Sequence, residues 1–235
     1  MYEKTLAIVL RSSNYRDYDR MLTLFSREHG RIDTLARGCR KQGSELLPVA
    51  EVFACSDFEM FKRGDRYFIA QGELKQSFFE LRGNIKALMT AMTIAEVTEK
   101  IIQPDSPNAR LFALVINALY ALSKGMDAKP AFIFFVFKLL DILGLRPVTD
   151  RCVVCGGKKT AGADMMLGGA VCAEHLGDNK AFDVTVIDDI LARPSKSIGG
   201  FVCPDSAVFD IACDWLVNTL EQEPKSLVLM KTALK

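Results

Sequence analysis

Arg20-Met21-Leu22-Thr23-Leu24-Phe25-Ser26-Arg27-Glu28-His29-Gly30-Arg31-Ile32-Asp33-Thr34-Leu35-Ala36-Arg37 is the segment on which the reading of this chain turns. Residues 20–26 alternate, with Met21, Thr23 and Phe25 on one face, the period-two mark of a strand. Gly30 breaks the run and residues 31–37 resume it. Working outward, residues 5–10 form an apolar β-rich run. Residues 52–61 are rich in Val, Phe and Met and end at Lys62-Arg63-Gly64-Asp65, and residues 66–74 return from that turn. Five short strands separated by turn signals, within residues 1 to about 80, predict a small closed sheet of the OB type.

Beyond residue 80 the period changes. In residues 81–102, Ile85, Leu88, Met89, Met92 and Ala95 recur at helical spacing, and Gln103-Pro104-Asp105-Ser106-Pro107-Asn108 ends the run. Further helices are predicted at 109–123, stopped by Lys124-Gly125, and at 129–143, with Gly144 and Pro147 beyond it. Residues 183–191, 205–220 and 225–234 complete the set, residues 150–178 are irregular, and 194–200 receives no role. Strands first and helices afterwards indicate an α+β chain with segregated parts.

The most specific local motif is Cys152-Val153-Val154-Cys155, sixteen residues, then Cys172-Ala173-Glu174-His175. A two-residue gap lets both side chains of a pair reach one ion from a tight turn. Two such turns close a tetrahedron, here of three thiolates and an imidazole, so Cys152, Cys155, Cys172 and His175 are the expected ligands of a structural zinc. Cys203 is the alternative fourth ligand. The competing reading is that of reduced cysteines packed as small hydrophobes, which is the reading taken for Cys39, Cys55 and Cys213. The intervening segment is glycine-rich, as a stapled hairpin with little core requires, and Lys158 and Lys159 offset part of the thiolate charge.

The bulk figures exclude several classes. The chain has 235 residues, 49% of them hydrophobic, enough for a sizeable core, and a net charge of +1, so any nucleic-acid site must be a local patch. Charges at Glu3 and Lys4 come too early for a secretory signal, and the longest apolar run, 131–145, is interrupted by Lys138 and Asp141 and too short for a bilayer. A cytoplasmic protein with no membrane partner is expected. No catalytic residue is expected either. There are two histidines, no His-x-Glu beside the cysteine pairs and no Gly-x-Ser-x-Gly turn. The Gly156-Gly157-Lys158-Lys159-Thr160 run lacks the first glycine of a phosphate loop.

Residues 9–41, from Val9-Leu10-Arg11 through Leu22-Thr23-Leu24-Phe25 and Glu28-His29-Gly30 to Ala36-Arg37-Gly38-Cys39-Arg40-Lys41, resemble the N-terminal signature of RecO proteins. Gly72-Glu73-Leu74 resembles the close of that family's barrel, residues 139–147 its Leu-Leu-x-x-Leu-Gly-x-x-Pro run, and Lys225-Ser226 its C-terminal Lys-Ser. Where many members carry a second Cys-x-x-Cys, this chain has Cys172 and His175. The resemblance implies an N-terminal OB-fold β-barrel (1–80, nucleic-acid binding) followed by an α-helical domain (81–235) with a zinc-binding insert at about 150–178.

It also implies a DNA repair and recombination mediator. Such a protein binds single- and double-stranded DNA, anneals complementary strands and, with RecR, helps load RecA onto strands coated by single-strand-binding protein, in the cytoplasm at the nucleoid. The residues permit this. Residues 1–43 hold nine Lys or Arg against five acidic residues, and Arg37, Arg40 and Lys41 cluster around Gly38. With Arg11, Arg16, Tyr15 and Tyr67 they form the expected DNA-binding set, and Tyr18 and Phe61 are further stacking candidates. Phe132, Phe134, Phe135 and Phe137 are spread round their helix, which reads as burial on several sides. The sharper expectation is a pocket of Phe135 and Leu139 for the acidic C-terminal tail of single-strand-binding protein, with Lys138 and Arg146 receiving carboxylates. The alternative function is a zinc-containing protein–protein adaptor with little direct DNA binding.

Overall fold

The computed structural model describes residues 2–64, 66–203, 205 and 207–235, with the side chain of Tyr2 also outside the description; Asp65 of the predicted turn falls outside it too. Five strands, β1 (Tyr2–Tyr15), β2 (Asp19–Ser26), β3 (Gly30–Ala36), β4 (Cys55–Arg63) and β5 (Arg66–Gln76), close into a barrel in the order β1-β2-β3-β5-β4. All pairs are antiparallel except β3 with β5, where Thr34 faces Tyr67 and Leu35 faces Phe68. Closure leaves no edge to pair with another chain. Alternate residues point inward, so Val9, Leu22, Leu24, Ile32, Phe58, Met60 and Ile69 form the buried core, and the Pro48–Ala50 turn adds Val49 and Ala50 to it. The OB-type barrel expected from the alternation is therefore present.

Strand β1 is much longer than the expected 5–10. Its first part pairs with β4 through Ile8 and its second with β2 from Ala7 onward, the register shifting between Val9 and Arg11. Residues 11–15 are mostly polar and lie beyond the core, so alternation gives no sign of them. The expected start of the fourth strand at residue 52 moves to Cys55. Phe53 has φ +71°, and its N–H bonds Val9 O at 2.9 Å while Val9 N–H bonds Ala54 O at 3.0 Å, so the chain turns there before it extends.

The helices are α1 (Ile85–Ile101), α2 (Ala109–Ser123), α3 (Ala128–Ile142), α4 (Thr185–Ala192), α5 (Ala207–Leu220) and α6 (Lys225–Ala233). The first begins later than the expected residue 81 because Phe79–Gly83 forms a separate 3₁₀ turn ending at an extended Asn84. By compactness the chain divides into two units, residues 1–84 with 92–112 and residues 85–91 with 113–235. Within the first, the outer face of β2 is also covered: Phe25 meets Phe112 edge-on at 5.4 Å. Within the second, α3 is buried nearly all round. Phe132 packs on Phe209, Phe134 on Phe201, and Phe137 edge-on against Trp215 at 5.6 Å. A helix apolar on every side needs neighbours on several sides, as its phenylalanines predicted. Residues 195–200 form a 3₁₀ turn that buries Ile198. Among the described residues no helix is long and apolar enough to cross a membrane.

Candidate nucleic-acid interface and metal centre

Two turns lie side by side at one end of the barrel. The β1–β2 turn meets the turn after β3 because Tyr15 pairs with Asp19 and Arg20 with Ala36. Arg40 N–H then donates to Tyr18 O at 2.9 Å, and Gly38 N–H to the Asp19 carboxylate at 2.7 Å. The β4–β5 turn lies at the other end, since β4 runs antiparallel to β1, but the start of β5 meets the end of β3. That contact is direct: the Arg37 guanidinium sits 4.4 Å over the Phe68 ring. Arg16, Arg37, Arg40 and Lys41 are exposed around the first two turns, and Lys62, Arg63 and Arg66 around the β4–β5 turn. None of the seven makes an ion pair with any described residue. Elsewhere on the barrel Arg20 is held by Glu51 at 2.7 Å and Arg31 by Asp33 at 3.0 Å. Of the acids nearby, Asp19 is occupied by the Gly38 amide and Asp17 is exposed.

Aromatic rings stand among these cations. Lys41 lies over Tyr18, Arg16 over Tyr15 and Lys62 over Tyr67, at 5.8, 5.3 and 5.3 Å. Tyr18 is 53% exposed, whereas Tyr67 packs partly against the core and Phe61 stacks on Phe68. A recess of about 410 Å³ opens between Arg16, Asp17, Tyr18, Arg37 and Lys41. Of the expected DNA-binding set, the structure groups Arg16, Arg37, Arg40, Lys41 and Tyr15, while Tyr67 stands at the start of β5 beside Lys62. Arg11 stands apart, its guanidinium bonded to Glu99 at 2.9 Å and to Thr23 at 3.0 Å. Lys62, Arg63 and Arg66 are missed by sequence reasoning. The signal available for them was a basic hairpin turn, but nothing local tells that β5 starts beside the end of β3.

In the second unit, Cys152, Cys155, Cys172 and His175 come together, one ligand atom of each lying within 4.8 Å of the others. Cys155 Sγ and Cys172 Sγ are 3.9 Å apart, and His175 Nδ1 lies 3.1 Å from Cys172 Sγ and 3.7 Å from Cys152 Sγ. Bonds of about 2.3 Å at tetrahedral angles put two sulfurs about 3.8 Å apart, so the spacing fits a four-coordinate ion. The first pair is presented by a tight turn, Gly156 N–H bonding Cys152 O at 2.8 Å. The second is presented by a short 3₁₀ turn, His175 N–H bonding Cys172 O at 3.0 Å. Between them runs the hairpin β6 (Gly162–Asp164) and β7 (Gly169–Val171).

The Cys155 backbone N–H, followed by those of Cys172 and Val154, lowers Cys152 to about 6, which favours the thiolate a metal needs. Cys155 is lowered by the Gly157 N–H, but its neighbour Cys152, burial and Cys172 outweigh this and leave it raised. This Cys₃His cluster can hold a metal ion. Cys203 is not part of it: its thiol points to Asp205 O at 3.1 Å. Cys55 and Cys213 are buried, and burial pushes them up to about 11 and about 12, as befits unreactive core thiols; Cys39 is likewise buried and raised.

The four residues expected to form a partner pocket do not line one surface. Phe135 and Leu139 are fully buried. The Lys138 ammonium is itself buried and donates to Leu191 O at 2.9 Å. Arg146 alone is exposed, and it reaches Asp141 at 3.6 Å.

Comparison with known proteins follows the same division of the chain. Residues 1–78 match the family model described as recombination protein O N terminal, and residues 82–181 match recombination protein O C terminal. The chain is similar to the DNA repair protein RecO of Acetivibrio thermocellus, 34% identical over 157 residues, covering 66% of this chain and 62% of that protein. The protein of the same name from Alkaliphilus metalliredigens is 34% identical, covering 66% and 64% respectively. That of Caldanaerobacter subterraneus subsp. tengcongensis is 30% identical over 173 residues, covering 73% and 70%. The matched region thus spans less than two thirds of the length of the first two relatives.

Proposed function

The chain belongs to the RecO family, and from that membership we propose that it is a DNA repair and recombination mediator that binds single- and double-stranded DNA and anneals complementary strands. The observation that carries this reading is the set of seven exposed barrel cations, Arg16, Arg37, Arg40 and Lys41 at one end and Lys62, Arg63 and Arg66 toward the other, with no ion pair among the described residues. A cation already paired to a carboxylate gains little from a phosphate. An unpaired one releases the counterions of the phosphate it neutralises, and that release is the main source of affinity. Exposed rings beside these charges supply stacking that any base can use. The proposed activity makes and breaks no covalent bond. Holding two strands on one neutralising surface lowers their repulsion enough for them to pair. The barrel is the nucleic-acid-binding part, with residues from 81 onward as the helical part.

Zinc is the ion we assign to Cys152, Cys155, Cys172 and His175. Four protein ligands leave no open position, so its part is to staple the hairpin rather than to activate water. Cooperation with RecR, action on the acidic tail of single-strand-binding protein and delivery of RecA belong to the same proposal, as does a place at the nucleoid in the cytoplasm. Support for these four comes from family membership alone, since Phe135, Lys138 and Leu139 are not surface groups.

The test is binding of a fluorescent single-stranded oligonucleotide across a salt series. Wild type is expected to bind with a steep log–log slope. Arg37→Ala/Arg40→Ala/Lys41→Ala and Lys62→Ala/Arg63→Ala/Arg66→Ala should each reduce that slope by up to about 2, at about 0.7 per phosphate contact. Arg11→Ala should leave it unchanged. Salt-insensitive or absent binding by folded wild type would instead favour the adaptor.

A further inference from the structure

We propose that the recess between the β6–β7 hairpin and α5 is a docking site for an arginine- or lysine-bearing apolar segment of a partner protein. Its floor is Ala163, Ile211 and Trp215, its lip is Met165, and Asp178 and Asp214 stand at the mouth. The opening measures about 180 Å³. Sites for whole small-molecule ligands run from about 300 Å³ upward, so this one is the size of a single long side chain.

Charge decides which side chain. Asp178 and Asp214 are exposed, and neither has an ion-pair partner among the described residues. Lys180 also borders the recess and is attracted by Asp214, but its ammonium is held by Asp210 at 2.8 Å, so three carboxylates face one cation and the mouth stays negative. A long cationic side chain matches both halves of the site, with its methylene stem against Trp215 and Met165 and its charged head at the carboxylates. An acidic or purely apolar group matches one half and is opposed by the other.

The surface continues past the recess. Met166 and Leu167, at the hairpin tip, are 75% and 53% exposed. The tip is preformed, because one Asp164 oxygen accepts the N–H groups of Met166 at 2.8 Å and Leu167 at 3.0 Å. Adjacent exposed apolar side chains held rigidly beside a charged pocket mark a protein contact. They call for apolar residues flanking the cation of the partner.

Trp215 is the only tryptophan in the chain, so its fluorescence reports this recess alone. The full-length metal-loaded protein is titrated at low salt with the peptide acetyl-Leu-Leu-Arg-Leu-Leu-amide, and with the same peptide carrying Gln for Arg. The arginine peptide is expected to change the Trp215 emission, and the glutamine peptide to bind about fivefold more weakly or less. Asp178→Asn/Asp214→Asn should abolish that preference, and Met166→Ser/Leu167→Ser should weaken both peptides. Circular dichroism and metal content check that the variants are folded. No response of Trp215, or an arginine preference that survives Asp178→Asn/Asp214→Asn, would overturn the proposal. So would a concentration-dependent dimer of wild type that Met166→Ser/Leu167→Ser dissolves, because the occupant would then be a second copy of this chain.

Discussion

Replacing Gly30 by Ala tests whether the barrel is clamped where the structure places it. Gly30 has φ +69°, and a Cβ there would stand 2.4 Å from Gln103 O and 2.6 Å from Ser106 O, both backbone atoms of the segment joining α1 to α2. Two costs arise. The left-handed conformation costs an L-residue about 1–2 kcal/mol. Making room requires that segment to retreat by roughly 1 Å, which costs about 1–3 kcal/mol as overpacking. The retreat also breaks the Arg31 N–H to Gln103 O bond, now 3.0 Å, at about 1 kcal/mol more. Gly30→Ala should therefore lose about 3–6 kcal/mol. Gly43 supplies the control: its φ is +76°, but a Cβ there meets nothing within 4 Å, so Gly43→Ala bears only the conformational cost of about 1–2 kcal/mol. Native-state hydrogen exchange of the β2 and β3 amides reads the first unit directly, whereas fluorescence reads Trp215 in the second. Equal losses in the two variants would refute the reasoning, because the residue 103–106 segment would then not press on the turn.

The remaining predictions concern the core and the metal. Thr34 Oγ1 is buried with no hydrogen-bond partner, so Thr34→Val should raise the urea midpoint, by about 1 kcal/mol of stability; a drop would mean that the hydroxyl is bonded to internal water. Lys138→Met leaves Leu191 O unpaired and should cost about 1–3 kcal/mol. If the ammonium instead served a partner's carboxylates, that variant would keep its stability and lose binding of an acidic peptide. Mass spectrometry of the native protein should find one zinc per chain, with Cys155→Ser lowering occupancy and Cys203→Ser leaving it intact. Stripping the metal should shift Trp215 emission to the red and open residues 150–178 to protease, while the salt slope of DNA binding stays unchanged, since the ion sits in the other unit.

Local chemistry explains which parts of this molecule could be read in advance. Helix α2 was legible to the residue because its ends are written in the sequence: the Asn108 side chain caps Leu111 N–H at 2.9 Å, and Lys124-Gly125 follows its last turn. The metal cluster was legible because its four ligands come from two turns, each folding on its own neighbours. Strand β1 was read short because residues 11–15 earn their pairing from β2 rather than from burial, and period-two alternation records burial only.

The set of cations was half legible for a related reason. Tyr15, Arg16, Arg37, Arg40 and Lys41 could be guessed from a basic turn, but Lys62, Arg63 and Arg66 are set beside β3 by a parallel pairing of strands about thirty residues apart. Lys138 shows the opposite error. A lysine in an apolar helix reads as an anchor exposed to a partner, yet its ammonium finds the Leu191 carbonyl, which lies on α4 beyond the whole metal insert. In both cases an exposed or buried fate was decided by a backbone group or strand far away in sequence. A charge in this chain can therefore be assigned to a partner only after its own backbone and carboxylates have been offered it. By that test, among the described residues, the seven exposed cations remain available to a phosphate and Lys138 does not remain available to a carboxylate.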